Sequence, residues 1–277
     1  MRHGRAKSNT SRRNTGVKEA NGYPAENASQ EPREGWTGVD GASPSASGKR
    51  SRAKAAPSPG LLEIAARLYG GDPYRKPEVY LREYERLFAP WRDQPIRFLE
   101  LGVHRGISMQ LWREYFPHAT IVGLDSETPP ANFPAEPRFH FLHGGQDDPA
   151  LLRRAIEAAG GQFDVVLDDA SHLGAITARS FAFLFEHGLR PGGIYIIEDL
   201  CTAFTSGGDF DAAPYAPTEI GLPGMPRVFP SHAHGMVGLM KQIVDHGQAP
   251  TAAGGYTRYP IERVTLMTNI AYVHKAE

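Results

Sequence analysis

Apolar positions along this chain follow two rhythms. In LLEIAARLYG, Leu61, Ile64, Ala65 and Leu68 recur at helical spacing, and Gly70-Gly71 closes the segment. Pro77 then opens a second helix with Val79, Tyr80, Tyr84, Leu87 and Phe88 as its apolar stripe. After Pro95 short apolar runs alternate with helical segments. IRFLEL leads to a helix from about Ile107 to Phe116; TIVGLD and RFHFLH lead to one from about Pro149 to Ala159; FDVVLDD leads to one from about Ala175 to Glu186, and GIYIIED follows. Alternating strands and helices predict right-handed crossovers and a parallel sheet covered on both faces. The unbroken apolar runs VVL and IYII read as strands buried on both sides. Near the end, IERVTLM and NIAYVHK, joined around Thr268-Asn269, read as an antiparallel hairpin.

Composition sets the frame. Of 277 residues, 40% are hydrophobic and 22% charged, which is ordinary globular usage and excludes a fibrous or wholly unfolded chain. The net charge of -1 hides an asymmetry: residues 1–60 hold 11 Lys/Arg against 5 Asp/Glu, leaving 19 against 26 for the remainder. Those first sixty residues contain no Leu, Ile or Phe, so they cannot bury enough apolar surface to offset their ordering entropy and are expected to be a disordered basic tail. Helices over 61–94 and a catalytic domain over 95–277 are expected to follow. Arg12 and Arg13 are followed by polar residues, without the apolar core of a secretory or twin-arginine signal. Runs such as FAFLF and IYII fall far short of the roughly 18 to 20 residues that cross a bilayer. A single cysteine, Cys201, excludes an internal disulfide framework and a multi-thiolate zinc site, and fits a cytoplasmic protein.

Open α/β sheets bind ligands beyond the carboxyl ends of their strands. After the first strand stands ELGVHRGIS, where Gly102 and Gly106 allow a sharp turn and close approach to a ligand before a helix N-terminus. Its G-x-x-x-G spacing, with His104 in the place of a middle glycine, departs from the dinucleotide fingerprint. About twenty residues on, Asp125 ends the second strand, where a carboxylate either accepts from ribose hydroxyls or caps a turn. Gln146 and Asp147 follow the third strand and can meet an adenine amino group, while Asp148 caps the helix that begins at Pro149. DDASH follows the fourth strand and IIEDL ends the fifth.

That order of glycine turn, acid, DDASH and RPGGIYIIEDL resembles class I S-adenosylmethionine-dependent methyltransferases. More narrowly it resembles the metal-dependent sugar O-methyltransferases of macrolide biosynthesis, the mycinamicin and tylosin type, with cephalosporin-hydroxylase-like relatives. The likeness runs from Ile96 to Asp199, and loosely through the C-terminal hairpin. It implies a Rossmann-like, doubly wound α/β fold with a mostly parallel seven-stranded sheet ending in an antiparallel hairpin. It also implies S-adenosyl-L-methionine held by Glu100, Gly102, Gly106 and Asp125, with Gln146, Asp147 and Asp168 completing the cofactor set. A magnesium site (Mg2+) at Asp169, Glu198 and Asp199, with His172 as general base, is implied as well.

Chemistry supports these expectations. An alkyl hydroxyl holds its proton at neutral pH; a divalent ion can acidify it and a histidine remove the proton. Sequential fourth and fifth strands bring Asp169 near Glu198-Asp199. Neighbours on a regular strand point to opposite faces, so Glu198 and Asp199 can share an ion only where the strand is ending; by the same reasoning Asp169 is chosen and Asp168 held in reserve. Four acids at two strand ends repel one another without a cation or a bound proton. His172 is either this base or a helix-entry histidine satisfied by backbone. His232 and His234, in PSHAHG, are read as loop rather than ligands. The segment from Thr202 to Ser231 is read as a lid or substrate loop, with Tyr215, Phe229 and Met236 either touching the acceptor or packing. In HGMVGLMKQIVDHG, Val237, Met240, Ile243 and Val244 are read as core. The expected partner is a small-molecule hydroxyl acceptor, sugar-bearing or polyhydroxylated, with no membrane and no nucleic acid; a homo-oligomer is left open. The rival readings are a nicotinamide-dependent dehydrogenase and a non-catalytic module whose basic tail engages nucleic acid.

Overall fold

The computed structural model describes residues 58–204, 216–219, 228–231, 235–253 and 259–277. The chain divides into Met1–Ala55 and Ala56–Glu277, and every described residue lies in the second unit. The expected basic tail, Tyr215, His232, His234 and the side chain of Phe229 lie outside the described residues.

Two helices, α1 (Leu61–Tyr69) and α2 (Glu78–Phe88), precede the alternating region. There β1 (Arg97–Leu101), α3 (Ile107–Tyr115), β2 (Thr120–Asp125), β3 (Phe139–His143), α4 (Pro149–Ala158), β4 (Phe163–Asp168), α5 (Gly174–Phe183) and β5 (Leu189–Ile197) follow in turn. The described C-terminal elements are β6 (Ala216–Glu219), β7 (Val228–Ser231), α6 (Gly235–Ala253), β8 (Ile261–Met267) and β9 (Ile270–Lys275). The main sheet has seven strands in the order β3-β2-β1-β4-β5-β9-β8. Its first five strands run parallel, and β9 enters antiparallel against β5 and β8. This is the Rossmann-like methyltransferase arrangement expected from the sequence. The order reverses between β1 and β4, so their carboxyl ends border the crevice in which such sheets bind ligands.

Strand alternation divides the core into two layers. Phe98, Ile121, Val165, Leu167, Ile194 and Ile196 face α1, α2 and α3, where Trp112, Tyr84 and Phe88 are fully buried. Leu99, Leu101, Val122, Val166, Tyr195 and Ile197 face α4, α5 and α6. Local chemistry fixes the ends of these helices. Asp148 accepts from the Ala150 amide at 2.8 Å and Pro149 fills the first helical position of α4, while Gly70 ends α1 at φ 54°.

Several expected details change. The inward face of α2 is Tyr80, Leu81, Tyr84 and Phe88, with Val79 exposed and Leu87 only partly buried. In α6, Met240 and Ile243 are buried but Val244 is exposed. The helix expected to reach Glu186 stops at Phe183 and continues as a wider π-helical turn that buries both Leu184 and Phe185. Within the segment read as a loop after β5, β6 and β7 pair as a separate antiparallel ribbon. No helix among the described residues is long and apolar enough to cross a membrane.

Candidate active site

A cavity of about 720 Å³ opens at the carboxyl ends of the central strands. One wall is the turn after β1, Gly102 to Arg105, with Asp125, Gln146 and Asp147; the adjoining wall is Asp169 to His172 with Glu198 and Asp199. Tyr74 and Lys76, which precede α2, also line it.

The first wall is braced by its own polar groups. Asp125 Oδ2 accepts from the Val103 and His104 amides, each at 2.7 Å, and Oδ1 accepts from the Glu127 amide at 2.9 Å. Thus the acid at the end of β2 shapes the glycine turn and still borders the cavity. Gln146 links two walls: its Nε2 donates to Asp168 Oδ1 at 3.0 Å, and its Oε1 accepts from the Ser171 amide at 2.9 Å. Asp147 pairs with Arg179 at 2.7 Å. Gly102 has φ 89°, and a Cβ there would stand 2.1 Å from the Asp169 carbonyl oxygen. Its freedom is needed for contact with another backbone, where the sequence alone suggested a ligand.

The other expected cofactor residues lie behind this lining. Glu100 points toward α3 and accepts from Trp112 Nε1 at 2.8 Å, whereas Asp168 points to the opposite layer and accepts from Tyr195 Oη at 2.8 Å. Both are almost completely buried. Gly106 supports the N-terminus of α3 at φ 72°. Burial pushes the Glu100 and Asp168 carboxyls up to about 7 each, with Lys76 opposing the rise at Glu100 and Tyr195 opposing it at Asp168. A carboxyl whose folded value is raised contributes its stability fully below its unfolded value and loses it as pH climbs through the folded one. The thermal midpoint should therefore fall by about 5 °C or more between mildly acidic and mildly alkaline buffer. Scanning calorimetry that finds a rising midpoint would refute this.

The second wall is built where the strands end. Regular pairing stops at Asp168 and Ile197, freeing the next residues from strict alternation, and Asp199 takes φ 56°. His172 takes φ 53°, another uncommon conformation for a non-glycine residue. Its Nε2 lies 3.8 Å from Asp169 Oδ1 and 3.9 Å from Asp199 Oδ2. One ligand atom from each of these three residues falls within a 4.8 Å span. Glu198, grouped with Asp169 and Asp199 from sequence, accepts at Oε1 from Lys76 Nζ at 2.7 Å and from Tyr84 Oη at 2.5 Å. Tyr80 Oη and Asn269 Nδ2 each donate to Asp199 Oδ1 at 3.2 Å. Burial, then the Asp169 charge, raises the Glu198 and Asp199 carboxyls above their ordinary range. Converging oxygens with an excess of negative charge fit a hard divalent ion, with Asp169 and Asp199 turned toward the imidazole.

Sequence reasoning missed Lys76, Tyr80, Tyr84 and Asn269 as neighbours of the acids. The available signal was the four-residue spacing of Lys76, Tyr80 and Tyr84, which reads equally well as an apolar stripe with a polar start.

No family model matches the chain. Over 231 residues it is 31% identical to the 8-demethyl-8-alpha-L-rhamnosyl tetracenomycin-C 2'-O-methyltransferase of Streptomyces olivaceus, covering 78% of this chain and 55% of that protein. It is 32% identical over 230 residues to the mycinamicin VI 2''-O-methyltransferase of Micromonospora griseorubida, covering 78% and 53%. Among solved structures, the MycE methyltransferase of the mycinamycin biosynthetic pathway, in complex with Mg and SAH, aligns with a TM-score of 0.62 and 30% identity. That alignment covers 80% of this chain and 56% of the MycE chain. The chain spans about half the length of the curated relatives it matches.

Proposed function

From the chain's standing as a homologue of the antibiotic-sugar O-methyltransferases, with their class I S-adenosylmethionine-dependent fold, we propose that it methylates a hydroxyl of a sugar-bearing small molecule with S-adenosylmethionine as donor. The observation that carries this reading is the placement of Asp169, His172 and Asp199 in one cavity with the turn after β1.

Methyl transfer from a sulfonium is an in-line displacement, and an alkyl hydroxyl, about as weakly acidic as water, attacks poorly until its proton is drawn away. His172 Nε2 faces the cavity between two carboxylates that stabilise the imidazolium formed when it takes that proton. Asp169 and Asp199 would hold a magnesium ion, with Glu198 beside them; when bound, the ion supplies acidification and orientation of an alcohol oxygen. Beside them, the turn after β1 and Asp125 would offer backbone and carboxylate groups to the donor's amino-acid and ribose parts. The cavity volume is within the range of about 300 to 1,000 Å³ usual for small-ligand sites. A cytoplasmic location belongs to the same reading.

A dehydrogenase is disfavoured because His104, at φ 45°, replaces the middle glycine that close pyrophosphate approach requires. The test is incubation of the full chain with S-adenosylmethionine, magnesium and a rhamnosylated polyketide. Mass spectrometry should detect one added methyl and release of S-adenosylhomocysteine. Calorimetric binding of NAD with no binding of S-adenosylmethionine would overturn the reading.

A further inference from the structure

The acidic wall contains its own cation. Lys76 lies between Pro73 and Pro77 on the segment leading into α2, and only 5% of it is exposed. Its ammonium donates to Asp169 Oδ2 and Glu198 Oε1, each at 2.7 Å, and stands 3.9 Å from Glu100 Oε1. Four and eight residues later, Tyr80 and Tyr84 donate to Asp199 and Glu198. Taking an ammonium out of water is costly unless anions surround it, and three carboxylates do so here.

Lys76 takes only one side of Asp169. The other oxygen, Oδ1, faces His172, as does Asp199 Oδ2. A divalent ion arriving at these two carboxylates therefore meets a positive charge already fixed across Asp169, in surroundings that screen poorly. The same ammonium ties down Glu198, the remaining acid at the end of β5.

We propose that Lys76 is an internal counter-cation, which holds Asp169 and Glu198 in place when no divalent ion is bound and weakens divalent binding by competing for those carboxylates. It is a positioning residue, and its role rests on the magnesium-assisted reading above. On this account the fold forms without metal, and the ion exchanges readily.

The test compares the full-length wild type with Lys76→Met and Lys76→Arg. Magnesium is titrated by calorimetry, manganese by electron paramagnetic resonance, and thermal unfolding is followed with magnesium or with chelator. The wild type should melt at nearly the same temperature in both. Lys76→Met should bind magnesium about tenfold tighter or more, through relief of cation repulsion, and should melt higher when magnesium is added. Lys76→Arg keeps the charge and should stay within about threefold of wild type. A purely structural lysine would give the opposite sign, since its loss would weaken metal binding.

Wild-type binding with no tightening in Lys76→Met sinks this inference alone. Equal tightening in Lys76→Arg sinks it too, because charge would not be the cause. Failure of Lys76→Met to fold even with magnesium present overturns it, since the ion could not then replace the ammonium. Absence of magnesium and manganese binding in both wild type and Lys76→Met removes the metal reading and this inference together.

Discussion

On the proposed reading, Asp169→Asn should all but abolish methyl transfer while leaving affinity for S-adenosylmethionine nearly intact. The substitution keeps the side chain's shape and the backbone contact with Gly102, so the donor-facing turn is preserved. It removes the charge shared by the His172 imidazole, 3.8 Å away, and the Lys76 ammonium, 2.7 Å away. Without it the forming imidazolium and any divalent ion each lose an anionic neighbour. The expected loss is about 10³ in kcat or greater, at the upper end for a single preorganised electrostatic group. Single-turnover assays paired with calorimetry of cofactor binding measure both halves of the statement. Turnover within tenfold of wild type would end the case for Asp169 as a member of the reacting centre.

His172→Asn should cost roughly 10² to 10⁴ in kcat, as expected when a general base is removed. Asparagine is the informative replacement because it tolerates the left-handed backbone at φ 53°, so lost activity reports chemistry more than strain. His172→Ala combines both effects and should also lower the thermal midpoint. If the base assignment is right, KM for the acceptor changes little while kcat falls. A loss below tenfold in kcat would return His172 to a helix-entry role.

How far the sequence could be read depended on which physical signal each element carries. The parallel strands were legible because VVL and IYII are unbroken apolar runs and helices alternate with strands along the chain. DDASH and IIEDL brought Asp169, Glu198 and Asp199, with His172, to one end of the sheet because strand endings are marked by the onset of polar residues. Whether an acid at a strand end faces the cavity or the core was harder to read. Glu100 and Asp168 are drawn into opposite core layers by Trp112 and Tyr195, partners that no local spacing reveals. Tyr80 and Tyr84 satisfied an apolar pattern with their rings and concealed the hydroxyls that reach Asp199 and Glu198. Lys76 was illegible for a related reason. Nothing near a lysine in sequence says that three carboxylates from distant strands will enclose it.

The main-chain contact between Gly102 and Asp169 also fixes a reach. On the proposed reading, the donor-facing turn and the acid-bearing turn meet main chain to main chain at Gly102, with no side chain between them to act as a spacer. Changes around the rim would then retune which alcohol enters while the separation of the two turns is kept.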